Sequence, residues 1–146
     1  MKPVCIFLCI ALFSGCSALT TNGPRGADSA EQLLSLAQKY HTTNDVKNML
    51  RLYKTEGVPG ALVASKERWL TKVFGFGFKN ITITPLPENA RHIFNTPVTA
   101  AGQTVSYNVY IDSQLTANYK GNRQEGFLFG QDKEDGKYYF ALQVSN

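Results

Sequence analysis

Three patterns of apolar and polar positions follow one another along the chain: an unbroken apolar run, then recurrences every three to four residues, then alternation. The run covers Val4 to Phe13 and is followed by polar, Gly- and Pro-containing sequence to residue 27. In "ADSAEQLLSLAQKYH", Leu33, Leu36, Ala37 and Tyr40 share one helical face. Asp28 or Ser29 can cap that helix, with Glu31 and Gln32 three residues on. "TTNDVKNMLRLYKTEG" repeats the device: Thr43 or Asn44 caps, Val46, Met49, Leu50 and Tyr53 form the stripe, and Gly57 stops it. Lys47, Arg51 and Lys54 then fall on the opposite, solvated face. A third helix is predicted over 61–73, with Leu62, Trp69, Leu70 and Val73 apolar and Ser65 and Lys66 interrupting the stripe. "VFGFGFKN" reads as a helix-to-strand turn with its phenylalanines in the core, because no strand precedes it and no third glycine completes a nucleotide loop.

From Asn80 the period changes to two. "NITIT" and "RHIFNTPVT" are short strands, the second held to a sheet edge or bulge by Pro97. "QTVSYNVYIDSQLTANY" is predicted as one long, bent strand with Val105, Tyr107, Val109 and Ile111 on one face, continuing through Leu115, Ala117 and Tyr119, while Asp112 projects from the other. "EGFLFGQ" and "KYYFALQV" form a hairpin across "DKEDG", where Asp135-Gly136 supplies the turn. Phe127, Phe129, Tyr138, Phe140, Leu142 and Val144 are expected on its inner face. Helices first and an antiparallel sheet afterwards predict an α+β fold: two to three N-terminal helices packed on a curved, cone-like antiparallel sheet of four to five strands.

Length and composition then limit the organisation. At 146 residues there is room for one domain, and 43% apolar residues suffice to give it a packed core. The positive start at Lys2, the apolar run and the small residues Ser14 and Gly15 have the order of a secretory signal peptide. Ten apolar residues span only about 15 Å as a helix, half of a bilayer's hydrocarbon core. All three cysteines, Cys5, Cys9 and Cys16, lie in this region, so a processed chain keeps only Cys16 and its domain is stabilised without disulfides. "FSGC" at 13–16 resembles the lipobox of bacterial lipoproteins, with Phe13 where that pattern usually has Leu. The resemblance implies cleavage before Cys16, diacylglycerol on its thiol and a further acyl chain on the new amine. Two or three acyl chains hold a protein stably on a membrane where one holds it marginally. Ser17, by the same resemblance, implies an outer-membrane lipoprotein facing the periplasm. The expected organisation is a signal peptide at 1–15, a lipidated cysteine and flexible tether at 16–27, and a single domain at 28–146. The net charge of +4 is scattered without a basic run, which leaves nucleic-acid binding without a footprint.

The helical segment "LLSLAQKYHTTNDVKNMLRLY" followed by a sheet ending in "FLFGQDKEDGKYYFALQ" resembles the nuclear transport factor 2-like cone fold, which includes the SnoaL-like proteins. Asn44-Asp45 at the start of the second helix and Asp135-Gly136-Lys137-Tyr138 in the last hairpin carry that resemblance. It implies either an enzyme with Asp, His or Tyr inside the cone or a binding or assembly module.

Candidate chemistry is sparse. His92 alternates with Phe94 and Val98, so it is the candidate general base of a pocket or else a surface histidine, and Glu125 is its nearest candidate partner by parity with Phe127. His41 reads as a cap or an exposed residue. Two distant histidines and one acidic turn make no metal site, and no cofactor motif is present. Tyr40, Tyr53, Trp69, Phe94, Tyr107 and Phe140 are either plain core or the lining of a cavity for an apolar ligand. The expected function is a membrane-tethered envelope lipoprotein that binds an envelope protein or a small apolar ligand without evident catalysis. The alternative is a cone-fold isomerase or dehydratase using His92.

Overall fold

A computed structural model describes residues 23–98 and 103–142. Three helices, α1 (Ala30–Thr42), α2 (Val46–Leu50) and α3 (Gly60–Phe74), precede five strands: β1 (Phe78–Pro85), β2 (His92–Val98), β3 (Gln103–Tyr119), β4 (Arg123–Asp132) and β5 (Tyr138–Phe140). The sheet is antiparallel throughout, in the order β1-β3-β4-β5, with β2 also on β3. The long central strand serves two partners on the same side: its first half pairs with β2 and its second with β1. This is the α+β arrangement expected from the order of periods.

Local chemistry explains most boundaries. Ser29 Oγ accepts the Gln32 N–H at 3.1 Å and caps α1, and the Gln32 side chain accepts the N–H of Asp28, one residue before the cap. Gly77, at φ 79°, turns α3 into β1, with Phe74 buried and Phe76 and Phe78 packed against the core. Asp135 accepts the Lys137 N–H and Gly136 adopts φ 72°, as the hairpin signal requires.

Two expectations are corrected. The second helix is five residues long, capped by Asp45 and finished at Arg51, where the amide turns to Asn48 and Met49 carbonyls. The following residues are extended instead: the Phe140 N–H donates to the Leu52 carbonyl and the Lys54 N–H to the Phe140 carbonyl, so residues 52–54 lie along the free edge of β5. Tertiary pairing overrides helix periodicity here, since the edge of a three-residue strand would otherwise stay open. Ala27 covers the same edge one step away, exchanging both backbone hydrogen bonds with Tyr138.

The second correction concerns β3. One extra residue, Asp112, sits between the pairs Ile111↔Gly130 and Ser113↔Phe129, and this bulge moves the odd-numbered residues to the other face. Leu115, Ala117 and Tyr119 therefore join Phe127, Phe129 and Phe140 under the helices, where Leu33, Ala37, Tyr40, Met49, Leu70 and Val73 complete the main core. Val109 and Ile111 pack on the opposite face with Phe94, Tyr139 and Ala141. At the bulge a Cβ on Gly130 would run into the Tyr110 carbonyl oxygen. Gly130→Ala is expected to destabilise the domain by about 3 kcal/mol or more, because backbone must move to admit the methyl. Urea unfolding of the variant beside the wild type measures it.

Candidate functional site

The segment that closes the β5 edge also builds the most distinctive polar site. Along an extended chain neighbouring side chains point to opposite faces. Tyr53 accordingly enters the main core against Phe140, ring centroids 5.5 Å apart, while Lys54 crosses to the other side and reaches Asp132. Asp132 is fully buried and Lys54 is 7% exposed; their Nζ–Oδ2 separation is 2.7 Å. Oδ2 is held through charge rather than a well-aligned hydrogen bond, and Oδ1 accepts the Glu134 N–H at 2.8 Å. Glu56 at 3.3 Å and Asp135 at 3.6 Å add weaker contacts to the ammonium, which also lies 4.9 Å from the Tyr139 ring centre. Burial disfavours the charged amine, but Asp132 outweighs it and holds Lys54 well above the usual lysine range.

Above this pair opens a cleft of about 230 Å³ lined by Arg25, Lys47, Leu50, Arg51, Tyr53, Lys54, Thr55, Glu56, Val63 and Tyr139. Among the described residues every ion pair belongs to Lys54, so Arg25, Lys47 and Arg51 face the cleft without a carboxylate partner there. The start of the packed chain is held at the same place. The Gly23 N–H donates to Asn48 Oδ1 at 2.6 Å, Arg51 Nε–H donates to the Gly23 carbonyl at 2.5 Å, and the Gly26 N–H donates to the Arg51 carbonyl at 3.1 Å. Residues 23–27, expected as the end of a loose tether, are thus docked onto α2 and β5. Gly26 is required for this: it has φ 66°, and a Cβ would lie 2.6 Å from Tyr139 Cε1.

A second polar group lies inside the main core. His41, 1% exposed, sits among Phe74, Phe78 and Phe127. Its Nδ1 is 2.7 Å from the Ala37 carbonyl, which can only accept, so the proton is on Nδ1 and Nε2 accepts the Tyr119 O–H at 2.9 Å. Burial pushes the imidazole down to about 4, with the Ala37 carbonyl opposing it. On α3, Lys66 Nζ stands 3.9 Å over the Trp69 ring and 5.2 Å from the Tyr53 ring. Burial lowers its amine to about 8 and Glu125 works against that shift. The Tyr53 hydroxyl is buried without a hydrogen-bond partner among the described residues.

The expected site residues are distributed differently from the sequence reading. His92 is exposed, its Nδ1 2.9 Å from the Ala90 carbonyl, whereas Phe94 is buried with Val109, Ile111, Tyr139 and Ala141. Glu125 does face the helices, but it pairs with Ala117 whereas His92 pairs with Ile111. Six residues of strand put those positions about 20 Å apart, so the two cannot act together. Tyr40, Tyr53 and Phe140 are buried in the main core, Trp69 packs on it, and Phe94 belongs to the opposite face. These five do not line one cavity; of them Tyr53 alone borders the cleft. The side chain of Tyr107, and Cys16 with the leader, lie outside the described residues. His41, expected as a cap or exposed, is buried, and Lys54 is not solvated. Among the described residues no group of three or more His, Cys, Asp or Glu could hold a metal ion. Comparison of the chain with protein-family models, with curated proteins and with solved structures finds no match in any of the three.

Two predictions follow the buried charges and the buried imidazole. Lys54→Met leaves Asp132 buried and unpaired and is expected to lose about 3–5 kcal/mol, whereas Lys54→Met with Asp132→Asn recovers much of it, since Asn keeps the bond to the Glu134 amide; urea titrations of the single and double variants test this. For His41 the folded imidazole loses its proton near pH 4 and the unfolded one near the ordinary 6.5, so the unfolded chain binds more protons in between. Its contribution is full above pH 6.5 and declines by roughly 3 kcal/mol as the pH falls to 4. His41→Gln should be less stable at pH 7, with the gap closing by pH 4.5.

Proposed function

We propose that this chain is a lipid-anchored binding domain of the bacterial envelope, and that its binding surface is the basic cleft between α2, the 52–56 segment and Tyr139. One observation carries the reading: the residues that form the cleft also hold the start of the packed chain. Arg51 grips Gly23, and Arg25 lines the cleft two residues later. Gly23 is seven residues after Cys16. Seven residues reach about 25 Å at most, so acylation of Cys16 would keep the cleft within that distance of the membrane surface. The lipobox resemblance of "FSGC" and the leader-like order before it support the anchor.

A cleft whose Arg25, Lys47 and Arg51 have no carboxylate partner among the described residues, beside Leu50 and Val63, suits an acidic partner with some apolar surface. The His92-based reaction has no comparable support, because His92 is solvent-facing and far from Glu125.

Expression of the full-length gene in a bacterial host tests the anchor. The intact mass is expected to show loss of the first fifteen residues with two or three acyl chains added, and the protein should sediment with membranes after a high-salt wash. Cys16→Ser should move it to the soluble fraction. An unmodified thiol in the wild type would remove the anchor and the compartment with it.

A further inference from the structure

The cleft's chemistry narrows what it takes. Its polar wall is cationic: Arg25 and Lys47 are exposed and Arg51 is half-buried, placed by its bond to the Gly23 carbonyl. Guanidinium groups match phosphate oxygens two at a time, which a lone ammonium cannot do. Lys54, at the base, spends its charge on Asp132, Asp135 and Glu56, so the three outer cations set the sign. The other wall is apolar, from Leu50 and Val63. A volume of about 230 Å³ is smaller than a drug-sized pocket of roughly 300–1,000 Å³, so it admits a headgroup and not a whole lipid. Among the described residues Glu56 is the one carboxylate in the lining, and its pairing with Lys54 at 3.3 Å reduces its repulsion of an anion.

We propose that the cleft binds the phosphate of an anionic phospholipid headgroup, with Arg25, Lys47 and Arg51 on the phosphate and the glycerol end against Leu50 and Val63. The proposal rests on the lipid-anchor reading for the nearness of its ligand, and the site itself can be tested separately. Headgroup engagement would lay the domain against the bilayer with the α2 end inward, instead of letting it swing on its leash.

The test uses the processed full-length protein, purified in a nonionic detergent, with three short-chain or soluble probes: dihexanoyl phosphatidylglycerol, dihexanoyl phosphatidylcholine and inorganic phosphate. Binding is followed by native mass spectrometry and by amide chemical shifts. Phosphatidylglycerol is expected to bind and to shift resonances of residues 47–56, more tightly than either other probe. Arg25→Gln with Lys47→Gln, at two exposed positions, should weaken it about tenfold or more while leaving the melting temperature unchanged. Equal affinity in the double variant, or equal binding of phosphatidylcholine, would overturn the proposal. Inorganic phosphate binding as tightly as the lipid would also overturn it, by making free phosphate the ligand. The same spectra report the mass at Cys16: an unmodified thiol with selective lipid binding removes the anchor and keeps the site, whereas an acylated thiol without such binding does the reverse.

Discussion

The buried ion pair between Lys54 and Asp132 decides how the chain between α2 and α3 meets the sheet. An extended segment can lie on an edge in two registers that differ by one residue, and a one-residue slip exchanges its two faces. Here one register puts the Tyr53 ring into the main core and the Lys54 ammonium on Asp132. The slipped register would bring an ammonium under the helices and leave a fully buried carboxylate alone, which costs several kcal/mol. The pair need not add net stability over an apolar substitute to do this, because its effect lies in the difference between two arrangements. Once the register is set, α2 is fixed from behind and α3 from in front, and the helix layer has its place on the sheet.

A similar economy appears in β3. Seventeen residues of one strand hold β1, β2 and β4 together, and the bulge at Asp112 divides it between two cores on opposite faces. Without the bulge the odd-numbered apolar residues would all lie under the helices, and the far face, with Phe94, Tyr139 and Ala141, would lose Val109 and Ile111. The Asp112 carbonyl is not left unpaired by the irregularity, because it accepts the Leu86 N–H at 2.8 Å. Tyr139 links this face to the charged cluster, since its hydroxyl donates to Asp135 Oδ2 at 2.7 Å while its ring lies beneath Lys54.

Periodicity made the element order legible, along with the start of α1, the ends of α3 and the Asp135-Gly136 turn, because these depend on neighbours within four residues. Residues 51–54 and the β3 face switch were not legible from it: the first is set by the distant edge of β5 and the second by one inserted residue that leaves the alternation intact. The internal polar groups left fainter traces. Lys66 was visible as a break in the α3 stripe, and a cation on an apolar face invites a search for aromatic rings three residues away, where Trp69 stands. His41 is four residues after Ala37 and so continues the α1 stripe; reading it as a helix end rather than a face residue concealed its burial. The cleft joins residues from position 25 to position 139, and no short window contains it.

If Cys16 is acylated as proposed, the cleft and the anchor would be connected through effective concentration. A binding site confined to a shell about 25 Å deep above a bilayer meets headgroups at an effective concentration in the millimolar range or higher, so weak intrinsic affinity is enough for occupancy. Three basic residues near an anionic surface contribute about 1 kcal/mol each, too little to recruit a free protein stably yet enough to orient one already held by acyl chains. The division of charge in the structure fits that role: the buried Asp132, with Asp135 and Glu56 nearer the surface, neutralises Lys54 and leaves the outer arginines and Lys47 to act at the surface. In the lipid-anchor reading the acyl chains supply retention, and the cleft determines which side of the domain the membrane covers and which side stays open to the periplasm.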